Sequence, residues 1–186
     1  QLLADTGFIV VRGDGRGTPG RGRAWERIIS GDLITVPLAD QIDMLKALGA
    51  ANPELDLTRV GVVGWSFGGY FSAMAAELAP DTFKAAIAGA PVTDWRYYDT
   101  AYTERYMRTP ADNALAYDET SAIVNAGKLG APRNPLHDGK ADLALDLRRH
   151  AAGKHLFDIG RVMRELEPVG RGEVRPADGP HQAARG

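Results

Sequence analysis

A chain of 186 residues, 44% of them hydrophobic, is long enough to bury one substantial core and short enough to be one domain. Its 24 acidic and 22 basic residues leave a formal charge of -2, so neither sign builds a field that would point to nucleic acid or an anionic membrane as partner. With no cysteine, a disulfide framework, a thiolate metal site and a cysteine nucleophile are all excluded, and the redox compartment is left open.

No apolar run reaches the length of a membrane span, and no charged-then-apolar leader opens the chain. The reading is a soluble protein, cytoplasmic or periplasmic. Gln1 is not an initiator methionine, and the apolar run Phe8, Ile9, Val10, Val11 follows almost at once, so the expectation is a chain cut mid-domain.

In chain order, residues 8–12 read as a short buried strand that Gly13, Gly15 and Gly17 then break. The stretch from Gly15 to Gly20 matches G-x-G-x-x-G, but Pro19 and the further glycines predict no helix N-terminus beside the turn, and no strand ending in an acid follows at the spacing a dinucleotide site needs. A glycine-rich loop is the better reading. The arginines around it lack the aromatic interleaving of an RNA-binding surface. Ile42, Leu45 and Leu48 then share one face of a helix ending near Gly49 and Pro53.

Residues 60–63 form the next apolar strand, and Gly64-Trp65-Ser66-Phe67-Gly68 follows it as G-x-S-x-G. Phe71, Met74, Ala75 and Leu78 recur at helical spacing until Pro80, so the pattern is strand, tight turn, helix. That is a nucleophile elbow, with Gly64, Gly68 and Gly69 supplying the space the turn demands. Residues 85–90 give a third strand, ended by Pro91. Strands alternating with helices predict a mostly parallel sheet with helices on both faces, an α/β fold. Trp95, Tyr98, Tyr102 and Tyr106 fall where one helix would carry all four rings on one face, a pattern that on its own usually means core packing. Glu104 and Arg105 between them read as a solvated or structural ion pair.

From Ala131 onward the pattern degrades. Pro132 and Pro135 argue against a central strand, residues 173–176 are equally weak, and a helix with Phe157, Val162, Met163 and Leu166 on one side is the clearest element left. An elbow serine needs a base and an acid, in the order Ser, Asp, His for this fold, and the histidines available are His137, His150, His155 and His181.

The string G-W-S-F-G-G-Y at 64–70, with D-G-R-G-T at 14–18 and W-R-Y-Y-D-T-A-Y-T-E-R-Y-M at 95–107, resembles the catalytic domain of the prolyl oligopeptidase family, and within it the dipeptidyl-peptidase IV branch. The whole of 1–186 is then a partial α/β-hydrolase domain, family-like over 1–130 and divergent over 131–186. The resemblance implies a serine peptidase that cleaves after proline or alanine near a substrate's N-terminus, without metal or organic cofactor. It implies Ser66 as nucleophile, the Phe67 backbone N–H as one oxyanion donor, and a proline pocket lined by Phe67, Val92, Trp95, Tyr98 and Tyr102. It places the acid at Asp142, in a segment like the family's H-G-x-x-D with Asp138 inserted, and the base at His181, which Gln182 follows where the family has glycine. The second oxyanion donor, a tyrosine, together with a β-propeller and a homodimer, would belong to the full-length protein. The isolated chain is therefore expected to have little or no peptidase activity. A small-ester hydrolase on the same fold, and a non-catalytic fragment with an exposed first strand, are the competing readings.

Overall fold

The computed structural model describes residues 2–5 and 7–129. Asp142, His181, the other three histidines, and the helix and strands read beyond Ala131 lie outside the described residues.

The chain opens with a helical turn, α1 (Leu2–Asp5), and then runs extended. Residues 8–12, read as a buried strand, are corrected here: Phe8, Ile9, Val10 and Val11 are 43, 61, 55 and 36% exposed, and the segment joins no ladder. An apolar run becomes a strand only when a neighbour accepts its backbone bonds, and among the described residues the sheet has two strands that pair with each other.

The glycine-rich loop closes on itself and on a later helix. Gly17 N–H donates to the Trp25 carbonyl at 2.9 Å, and the Thr18 hydroxyl donates to the Gly15 carbonyl at 2.8 Å. Arg16 reaches Asp40 with its Nε and Nη2, and its backbone N–H donates to the same carboxylate at 2.6 Å. These bonds hold the Asp40 carboxyl below the usual carboxylate range, the Arg16 side chain contributing most. The sequence predicted no helix beside this loop, yet the five-residue α2 (Arg23–Arg27) follows Gly22 directly.

The long helix α3 (Thr35–Ala51) begins where the Asp32 carboxylate accepts the N–H groups of Ile34 and Thr35. It ends where Asn52 returns both its backbone and side-chain amides to the Leu48 carbonyl. Its Leu38 is buried, and Ile42 and Leu45 pack on the core as their spacing predicts.

Strands β1 (Val60–Trp65) and β2 (Phe83–Gly89) are parallel, with Val63 opposite Ile87 and Trp65 opposite Gly89. They are joined by α4 (Phe67–Leu78), the parallel crossover that two such strands require. Val60 and Val62 pack toward α4 and the core, while Val63 and Trp65 on the other face are exposed at 56 and 64%. After β2 come a 3₁₀ turn (Trp95–Tyr97), α5 (Thr100–Met107), α6 (Ala114–Glu119), α7 (Ala122–Asn125) and a second 3₁₀ turn (Ala126–Lys128). The Asp94 carboxylate caps the first of these turns and the Asp99 carboxylate caps α5.

Almost every side of α4 is covered, which traps a carboxyl. Glu77 is 2% exposed, and neither of its side-chain oxygens has a hydrogen-bond partner among the described residues. Burial pushes this carboxyl up to about 8, against the opposing pull of Lys128. Between the ordinary value of 4.5 and about 8 the native state keeps a proton that the unfolded chain has lost. Stability therefore falls as pH rises through that window, and the loss is complete above it. Glu77→Leu is expected to remove this slope, raising Tm by about 5 °C near pH 9 and by little near pH 4. Thermal unfolding at the two pH values checks it, and an equal gain at both would assign the effect to packing rather than ionisation.

Candidate active site

β1 delivers the chain into a turn that side chains would block. A Cβ on Gly64 would overlap the backbone of Gly68, and a Cβ on Gly69 would overlap the Gly89 carbonyl. Gly68 itself meets nothing within 4 Å, so the close approach belongs to Gly64 and Gly69, and what Gly68 contributes is the backbone that Gly64 must clear.

Between these glycines Ser66 adopts φ 57 and ψ -114, a left-handed conformation that non-glycine residues rarely take. It is over-determined from both sides: Ser66 N–H donates to the Gly89 carbonyl at 2.9 Å, and its own carbonyl accepts Tyr70 N–H at 3.0 Å. Ala90, the residue after that Gly89, is also left-handed at φ 42, so two strained positions at the ends of adjacent strands brace one another. The Ser66 side chain is exposed and makes no capping bond to α4. Its hydroxyl has no hydrogen-bond partner among the described residues, and the Phe67 N–H lies in the first helical turn, where amides have no intrahelical carbonyl to bond.

Phe67 follows Ser66 directly and starts a chain of ring contacts. Its centroid is 6.1 Å from Trp95, which stacks on Tyr102 at 5.8 Å with planes 18° apart. Tyr98 stands edge-on to both, 6.0 Å from Trp95 and 5.4 Å from Tyr102. Trp95 is 1% exposed at the centre of these contacts, whereas Tyr98, at 43%, reaches solvent. Val92 is half-buried against the same core. Burial raises the Tyr102 phenol above its ordinary value, with Tyr106 and Tyr98 adding to the effect, which keeps it protonated.

The rings do not ride on one helix, as their spacing predicted. Trp95 sits on the 3₁₀ turn, Tyr98 and Asp99 are extended, and only Tyr102 and Tyr106 belong to α5. The carboxylates of Asp94 and Asp99 offer the backbone a cap at each point, and that splits the run into two short elements. Glu104 and Arg105 are both exposed, in line with the solvated reading, and the Arg105 guanidinium lies 5.8 Å from the Tyr106 ring.

Two contributors were missed. Tyr70 lies 5.7 Å from Phe67 and 5.0 Å from Trp95, edge-on to both. Its position one helical turn after Phe67 is the signal that could have found it. Arg96 pairs with Asp94 at 3.2 Å and with Asp118 at 2.6 Å, tying the Trp95 turn to α6. A cavity of about 180 Å³ at the opposite end of β1, between Leu45, Leu57 and Val60, holds none of the expected site residues.

The structure thus brings together the rings of Phe67, Trp95, Tyr98 and Tyr102, with Ser66 directly before Phe67 and Val92 packed on the core, while Asp142 and His181 are outside the described residues. Dipeptidyl peptidase 8 of Mus musculus and that of Homo sapiens are each 42% identical over 136 residues, 73% of this chain and 15% of theirs. The crystal structure of Porphyromonas gingivalis dipeptidyl peptidase 4 superposes with a TM-score of 0.61 at 39% identity, covering 76% of this chain and 21% of that one, and its likeness fits the α/β-hydrolase fold. The chain spans about 15% of the length of the curated relatives it matches. The family model described as "Prolyl oligopeptidase family" matches residues 1–142, the stretch that contains the elbow, the glycine loop and the aromatic cluster, and the chain belongs to that family.

Proposed function

We propose that this chain carries the nucleophile and proline pocket of a dipeptidyl-peptidase-type serine peptidase. The observation that carries the reading is the strained, exposed Ser66 followed at once by Phe67, the first ring of an aromatic cluster with Tyr70, Trp95, Tyr98, Tyr102 and Tyr106.

In this reading Ser66 attacks the carbonyl carbon of the second residue of a peptide, so that the acyl-enzyme holds the dipeptide and the amine of the third residue leaves. His181 takes the hydroxyl proton and returns it to the leaving amine, and Asp142 holds the imidazole tautomer. The Phe67 N–H stabilises the developing oxyanion. A single such donor is worth about a hundred- to a thousandfold in turnover, and its partner, together with a β-propeller and a homodimer contact, would come from the full-length protein. A proline ring slots between flat aromatic walls at low entropic cost, because it is already rigid.

The test compares chromogenic substrates on the purified chain. Hydrolysis of a glycyl-prolyl amide, slow in absolute rate, is expected to exceed that of a glycyl-glycyl amide about ten- to a hundredfold. Turnover of a butyrate ester alone would favour a small-ester hydrolase, and turnover of neither substrate would favour a non-catalytic fragment.

A further inference from the structure

Tyr70 is wholly buried, and its hydroxyl donates to the Thr120 carbonyl at 3.0 Å, an anchor fifty residues away. Its ring touches two pocket residues at once, Phe67 on its own helix and Trp95 on a separate turn, and those two also touch each other. Three rings in mutual contact form a triangle whose shape depends on how each is held. Phe67 is held by α4 and Trp95 by its turn. Tyr70 alone of the three carries a polar tether to a third element.

The anchor itself is rigid. Thr120 is 1% exposed, and both its backbone N–H and its hydroxyl donate to the Ala116 carbonyl, which fixes it at the end of α6. The Arg96–Asp118 pair ties the same helix to the Trp95 turn. The elbow helix and the Trp95 turn are therefore referenced to one post, and Tyr70 is the link on the elbow side.

Resting on the proline-pocket reading above, we propose that Tyr70 is a positioning residue that sets the selectivity of the pocket for a five-membered ring. Its hydroxyl fixes the spacing between the Phe67 and Trp95 rings. Without that bond the Tyr70 ring slides, and the Thr120 carbonyl is left buried without this partner. A rigid five-membered ring fits walls held at one spacing and tilt, here 43° between the Phe67 and Trp95 planes, whereas an open-chain amide adapts to walls that have moved, so the loss falls on ring recognition more than on binding in general.

The test measures dissociation constants of glycyl-pyrrolidide and glycyl-dimethylamide by proton NMR titration of the chain. Wild type is expected to prefer the pyrrolidide, and Tyr70→Phe to lower that preference about three- to tenfold, the worth of one neutral hydrogen bond. Replacing Tyr70 by 4-aminophenylalanine, which keeps a donor at the same place, is expected to restore the preference and also serves if the Phe variant does not fold. An unchanged preference in Tyr70→Phe, or no restoration by the amino analogue, overturns the positioning role and leaves the pocket reading standing. A wild-type chain that binds neither amide, or both equally, overturns the pocket reading and the role of Tyr70 with it.

Discussion

Ser66→Ala is expected to reduce hydrolysis of a glycyl-prolyl amide to background, a loss of about four to six orders of magnitude where acid and base are in place. The substitution removes the nucleophile and little else. Ser66 makes no capping bond and its side chain is exposed, so the backbone bonds that hold the elbow survive. Alanine takes the left-handed turn at a cost similar to serine, and unfolding should shift little. Binding of the pyrrolidide should also persist, because the pocket rings are untouched. That split between lost turnover and retained binding distinguishes a nucleophile from a structural serine.

The same experiment extends to the acid and base. His181→Ala is expected to match Ser66→Ala, and the double variant to be no worse than either, because members of one triad act as a unit. Asp142→Asn should cost about ten-thousandfold through the wrong imidazole tautomer. Independent, multiplying losses would remove His181 or Asp142 from the site and direct attention to His137, His150 and His155.

The second large effect is steric and concerns neighbouring glycines with opposite outcomes. Gly69→Ala is expected to abolish the native fold of the elbow, because the new methyl would occupy the Gly89 carbonyl, and that carbonyl is the acceptor for Ser66 N–H. Neither partner can yield, since both are backbone at the junction of β1, α4 and β2. Overpacking of this kind costs about 1–3 kcal/mol or more, and here it breaks a strand-end hydrogen bond as well. Gly68→Ala places its methyl in open space at an ordinary helical φ and exchanges the poorest ordinary helix former for the best. It is expected to stabilise the chain by up to about 1 kcal/mol. Urea unfolding of the two variants checks the contrast. Equal destabilisation would mean that the packing around α4 differs from that described.

How much of this was legible depends on the range of the forces involved. The elbow could be read directly, because a strand, a turn crowded with glycine and a helix are all short-range choices: periodicity, missing Cβ atoms and a proline stop. β1, α4 and β2 accordingly lie within a few residues of where the sequence puts them. The aromatic cluster was half legible. The spacing of Trp95, Tyr98 and Tyr102 told that the rings meet, but it assigned them to one helix, while two carboxylate caps divide the run and the rings meet across the break.

Only the tertiary structure decided the rest. Whether residues 8–12 pair depends on a neighbouring strand that no local pattern supplies, and their apolar side chains stay exposed. Glu77 sits in a helix whose polar face should have met water, yet the elements after β2 close over it, and the carboxyl is driven toward its neutral form. Only the fold brings the Thr120 carbonyl, fifty residues away, to the Tyr70 hydroxyl. Burial and long-range hydrogen bonds depend on which distant segments come to lie against a residue, and that is settled by packing of the whole domain rather than by the residue's neighbours in sequence.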